Sequence, residues 1–139
     1  MAIVQGACTA FKLDMVKGDV DLDTDTLNIA LYTSDATLNA DTTVYITADE
    51  VEGTGYDAGG KPLTVTTPTT SQGVVIVDFA NVVWDTVSIT ARGALIYNVT
   101  NANRAVAVLD FGIDRVSDAA NFTVTFPEAT VDSAIIRIK

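Results

Sequence analysis

Apolar and polar positions along the chain alternate in short runs, and the longest paired runs lie late in the sequence. Residues 88–97 (Ser-Ile-Thr-Ala-Arg-Gly-Ala-Leu-Ile-Tyr) and 104–111 (Arg-Ala-Val-Ala-Val-Leu-Asp-Phe) flank a six-residue Asn/Thr-rich stretch at 98–103. Two strand-length apolar runs around a polar loop predict an antiparallel β-hairpin. Apolar and small residues fall on both of its faces, which places it centrally, with cover on each side.

Upstream, residues 8–17 place Phe11 and Met15 one turn apart with Cys8 a turn earlier, and Gly18 follows as a fitting C-terminal stop. This predicts a short helix. Leu27, Ile29 and Leu31 alternate and predict a strand with one face in the core. Short strands are expected at 44–46, 63–66, 74–79 and 82–84, with a flexible glycine loop at 53–60. Residues 114–121 read as a polar connection able to hold one helical turn. Phe122, Val124 and Phe126 alternate inward, Pro127 ends that strand, and residues 134–138 form a last one. Seven to nine short strands at near-regular spacing predict a mainly β chain. The expected fold is an antiparallel β-sandwich or jelly-roll-like domain with one short N-terminal helix. The expectation is a single domain over residues 1–139, with an apolar, unanchored N-terminal arm at 1–7.

Composition narrows the chemistry. The chain has 139 residues, no histidine and one cysteine. Serine–histidine, cysteine–histidine and histidine–zinc sites are therefore not available within one chain. Cys8 reads as a small buried hydrophobe. The net charge is −10, and eleven acids face one base, Lys17, between residues 14 and 57. Such a surface repels phosphate backbones, so nucleic acid is not an expected partner. No apolar run approaches a membrane span, and the first residues lack the basic and long apolar regions of a signal peptide. The expected location is the cytoplasm, or a particle assembled there.

Several patterns resemble functional motifs without their context. Residues 55–62 approach a phosphate loop, but Pro62 replaces the hydroxyl residue and a threonine-rich segment follows instead of a helix. Residues 53–58 fit G-x-G-x-x-A without the flanking strand and helix of a dinucleotide fingerprint. Asp19, Asp21, Asp23 and Asp25 alternate, so in an extended chain their carboxylates share one face, as calcium ligands would. Thr24 and Ala30 stand where an EF-hand needs glycine and glutamate, and a solvated acidic edge that discourages sheet pairing is the preferred reading. No cofactor and no metal is expected. Asp78, Asp85 and Asp110 lie in or beside apolar runs, but their spacing does not place any two together, and Arg92 is expected to pair with one of them or reach a neighbouring subunit. With no positioned nucleophile or base, the chain reads as a non-enzyme. The Asn98 and Asn121 glycosylation sequons are incidental without a secretory signal.

Phe11-Lys-Leu, Val16-Lys-Gly, Thr26-Leu-Asn-Ile-Ala-Leu-Tyr-Thr-Ser, Glu50-Val-Glu-Gly-Thr-Gly-Tyr-Asp-Ala-Gly-Gly-Lys and Ala91-Arg-Gly-Ala-Leu-Ile-Tyr-Asn follow one another in a familiar order. The chain resembles small virion structural proteins of tailed bacteriophages, of the head-decoration, head-fibre or tail-fibre type. The resemblance implies a β-rich virion protein in symmetric copies, a homotrimer favoured, that binds the major capsid protein or tail proteins. The expected role is capsid decoration. The alternatives are a tail or fibre component contacting the host surface, and a carbohydrate-binding module using Tyr45, Tyr56 and Trp84. Ile3, Val4, Tyr56, Arg92, Asn98 and Asn101 are the expected interface residues.

Overall fold

Two neighbouring strands carry the architecture: β6, Val82–Asn98, and β7, Arg104–Val124. The computed structural model describes residues 2–66, 68–127 and 136–138. In chain order the other elements are β1 (Gly6–Ala7), α1 (Thr9–Lys17), β2 (Leu27–Tyr32), β3 (Lys61–Pro62), β4 (Thr69–Ser71), β5 (Val74–Val77) and β8 (Ile136–Ile138). The protein is mainly β, with two antiparallel sheets and one short helix. One sheet runs β1-β7-β6-β2-β3 and the other β4-β5-β8; neither closes into a barrel.

The hairpin predicted at 88–97 and 104–111 is present and antiparallel, with Leu95 opposite Val108 and Ile96 opposite Ala107. It is also longer than predicted. Residues 82–84 begin β6 and pair with Phe122–Val124, while 114–121 are strand, not a connection with a helical turn. At the tip, Ala102 and Asn103 both take left-handed backbone, and the Arg104 N–H donates to the Asn101 carbonyl at 3.0 Å. Positive φ at both central positions matches the right-handed twist of the flanking strands.

The two long strands do not stay in simple register. Between the pairs Gly93–Asp110 and Ala91–Arg115, β6 has one residue, Arg92, and β7 has four, Phe111 to Asp114. The surplus makes a corner, and Gly112 turns it at φ +82. Farther out, Thr86 and Ala119 sit at positive φ beside two more register shifts. Extra residues on one strand bend it and increase its twist.

β2 is buried on both faces: Leu27, Ile29, Ala30, Leu31 and Tyr32 are all fully covered. The alternation of Leu27, Ile29 and Leu31 revealed only one of those faces. Its outer neighbour, β3, ends the sheet with Pro62, which has no N–H to offer another strand. Gly60 enters β3 at φ +76, and a Cβ there would lie 1.7 Å from the Ile29 carbonyl oxygen. Gly60→Ala is therefore expected to cost about 3 kcal/mol or more in chemical denaturation. Gly112→Ala, whose Cβ meets open space, is expected to cost about 1 kcal/mol.

Two expected strands take other forms. Residues 63–66 cross from one sheet to the other: the Leu63 N–H donates to Leu27 and the Thr66 N–H to Asp78. Among the described residues their one bridge is Val65 opposite Phe79. Residues 44–46 make one rung, Val44 opposite Arg104, beside the hairpin tip. The final strand covers 136–138, and the rest of the predicted 134–138 lies outside the described residues. The helix matches its prediction, with extended Cys8 preceding it and left-handed Gly18 closing it. Burial pushes the Cys8 thiol up to about 11, so it stays protonated and unreactive at neutral pH. The N-terminal segment is anchored rather than free. Ala2 and Val4 bond to Leu38, Ile3 packs against Gly93, and β1 pairs with β7.

Candidate interface sites

The sheet frame positions three polar clusters and an exposed corner. The largest cluster joins all four tyrosines of the chain to Glu50. The Glu50 carboxylate accepts from the hydroxyls of Tyr45 at 2.5 Å and Tyr56 at 2.6 Å, and from the Gly59 N–H at 2.8 Å. The Tyr97 hydroxyl donates to the Gly59 carbonyl at 2.6 Å, and Tyr32 donates to Ile46 at 2.5 Å. Tyr45 stacks on Tyr97 with ring centroids 4.7 Å apart. The Leu31 N–H donates to the Tyr56 oxygen, so this network also fastens the end of β2. Burial raises the pKa of every one of these tyrosines above its ordinary value. The hydroxyls therefore act as donors. With Gly59 and Tyr56 both held by Glu50, the 53–60 loop is pinned at these two residues, not the flexible segment its glycines suggested.

A second cluster joins the helix to the hairpin tip. Asp14 is buried and accepts two bonds from the Arg104 guanidinium, at 3.0 and 3.1 Å, and one from the Asn101 amide at 3.4 Å. Fork-to-fork pairing of this kind fixes orientation as well as charge. Asn98 is fully buried, donates to Asp25 at 2.8 Å and accepts the Asn101 N–H.

The third cluster pins the β7 corner. Arg92 Nε lies 3.2 Å from Asp110 Oδ1, the same oxygen that accepts the Gly112 N–H at 2.9 Å. Arg92 thus pairs with an aspartate of its own chain, one of the two outcomes expected from the sequence. The Gly112 bond, aided by Arg92, holds the Asp110 carboxyl below its ordinary value of 3.8. A depressed folded pKa stabilises above the unfolded value and is lost as pH falls through the folded one. Asp110→Asn is expected to flatten the stability profile below pH 3.8, by well under about 1 kcal/mol because the pair is solvated. Acid titration followed by circular dichroism checks this. Beyond the corner, the Arg115 guanidinium lies over Phe111 and Phe122, 5.1 and 4.7 Å from the ring centroids.

The acidic run is not extended. The Thr24 and Asp25 N–H groups bond to the Asp21 carbonyl, Asp21 Oδ1 accepts the Asp23 N–H, and Asp25 Oδ2 accepts the Asp21 N–H. Asp19 sits 3.7 Å from Lys17 at the surface. The turn uses two of the four carboxylates for its own backbone. The signal was present, because aspartate bonds readily to N–H groups nearby in sequence. Among the described residues no three acidic or cysteine side chains converge as metal ligands would, and Asp78, Asp85 and Asp110 do not gather. Asp78 is buried in the described structure with Oδ1 unbonded.

The expected interface residues divide by exposure. Val4 is 55% exposed, Arg92 and Asn101 are half-buried, and Ile3, Tyr56 and Asn98 are interior. The last three support the surface from beneath rather than forming it. Trp84 is buried against Phe122 and Tyr56 and cannot serve with Tyr56 as a sugar platform in this fold. The residues that sequence reasoning passed over are the aliphatic ones in water: Val16 at 86%, Val116 at 72% and Ile113 at 67% exposed.

Comparison with family models, with curated proteins and with solved structures finds no match.

Proposed function

We propose that the protein is a structural component of a tailed-phage virion, a decoration protein that binds the capsid in symmetric copies, as a homotrimer. The observation that carries this reading is the set of large aliphatic side chains held in water on well-bonded elements. Ile113 and Val116 stand at the β7 corner, and Leu13 and Val16 on the outer face of α1. Exposed apolar groups on a fixed frame are what protein contacts bury. The excess of acids suits an outer surface, away from packaged nucleic acid. The order of sequence motifs described above supports the virion setting. Placement on the tail or a fibre is the runner-up. The buried Trp84 and Tyr56 weigh against the carbohydrate-binding alternative.

The test is co-sedimentation of the purified protein with phage capsids, alongside its mass in solution. The expected result is a trimer that co-sediments, with Ile113→Asp and Val116→Asp weakening assembly or binding while circular dichroism is unchanged. A strict monomer that ignores capsids overturns the reading. Binding to isolated tails alone moves the protein to the runner-up position.

A further inference from the structure

A groove of about 470 Å³ runs between α1, β1, β7 and β8. Its walls are mostly apolar, with Phe11, Met15, Val108, Leu109, Ile136 and Ile138 among them. Two of the elements that line it, β1 and β8, are the outer strands of their respective sheets among the described residues. Outer strands present N–H and C=O groups that another strand can pair with. The opposite edge of the larger sheet ends in Pro62, which discourages such pairing, whereas β1 is Gly6–Ala7, with both residues exposed and no bulky or charged side chain. Charge adds direction. The exposed Lys12 is among the residues that line the groove, as is Arg137.

We propose that this groove receives an extended strand of a partner polypeptide, apolar where it meets the walls and acidic where it passes Lys12. Main-chain bonds to β1 or β8 would hold the strand, and the apolar wall would select its alternate side chains. The inference stands on the groove and the sheet edges, independently of any virion setting.

The experiment uses the full chain, labelled with nitrogen-15, and a probe heptapeptide with capped ends, Glu-Val-Thr-Val-Thr-Val-Glu. The companion probes are its Lys-for-Glu counterpart, a version N-methylated at the valines, and dodecanoate. The acidic peptide is expected to shift the amide resonances of Gly6, Ala7, Lys12 and Ile138 and to leave Lys61 unmoved. Lys12→Glu is expected to weaken it about tenfold while circular dichroism is unchanged, because a rim charge is reversed. N-methylation is expected to abolish binding. Equal binding of the acidic and basic peptides overturns the proposal, as does full binding of the methylated one. So does a shift of these amides with dodecanoate and not with peptide, which marks a pocket for small amphiphiles. Shifts that track protein concentration without any probe also overturn it, in favour of a second copy of this chain.

Discussion

Raising the pH above 10 is expected to unfold the protein in one cooperative step, with tyrosinate absorbance appearing only as the structure is lost. All four tyrosine hydroxyls donate internal hydrogen bonds: Tyr45 and Tyr56 to Glu50, Tyr97 to Gly59 and Tyr32 to Ile46. Burial is the main cause that raises each above its ordinary value of 10.0, and the neighbouring Glu50 carboxylate adds to it. The sign follows from linkage. An unfolded tyrosine releases its proton near pH 10 and a folded one keeps it, so the unfolded state binds fewer protons and stability falls as pH rises. The stabilisation is fully present below pH 10. Each strongly shifted buried tyrosine contributes a slope approaching about 1.4 kcal/mol per pH unit, and Tyr32 and Tyr56 together about 3. Near-ultraviolet absorbance and far-ultraviolet circular dichroism, followed on one alkaline titration, check this. Tyrosinate rising in steps before any loss of structure contradicts it.

The second large effect lies at the Asp14–Arg104 pair. Among the described residues, Arg104→Met leaves the buried Asp14 carboxylate with the Asn101 amide as its remaining side-chain partner, at 3.4 Å. Removing one member of a buried ion pair costs about 3–5 kcal/mol, and a figure near the lower end is expected because Arg104 itself is part-exposed. Replacing both, as Asp14→Leu with Arg104→Met, is expected to recover most of that loss, since an apolar pair needs no counter-charge. Denaturant midpoints of the two single variants and the double variant give the coupling directly. A double variant no more stable than Arg104→Met contradicts the account.

What the sequence made legible was mostly what burial writes into it. The hairpin, the α1 stripe and β2 all carry dense apolar patterns, and their positions were readable. The outer half of the hairpin was not. Residues 113–121 include Ile113, Asp114, Val116, Asp118 and Ala119 in water, so alternation carries no signal there. Residues 63–66 misled in the opposite direction. Leu-Thr-Val-Thr has strand propensity, but the segment is a crossing between sheets, and propensity cannot register that. Among polar sites, Glu50 gathers Tyr45, Tyr56 and the Gly59 amide with Tyr32 and Tyr97 close by, and no spacing rule relates them. Asp14 was within reach. It lies three residues from Phe11 on the buried side of α1, and a carboxylate there needs a cationic partner. That the partner is Arg104, 90 residues away, only the fold reveals.

The length of the β6–β7 hairpin also has a kinetic meaning. Its strands meet across a five-residue tip at 99–103, whereas β1 must find β7 across about a hundred residues of chain. Closing a short loop costs far less chain entropy than closing a long one, so sequence-local pairing leads. The hairpin is thus the expected folding nucleus, and β2, β1 and α1 dock on it afterwards. Substitutions at Leu95 or Val108 should slow folding, and those at Phe11 or Ile3 should mainly hasten unfolding. The same frame that holds the clusters in place is the part the chain builds first.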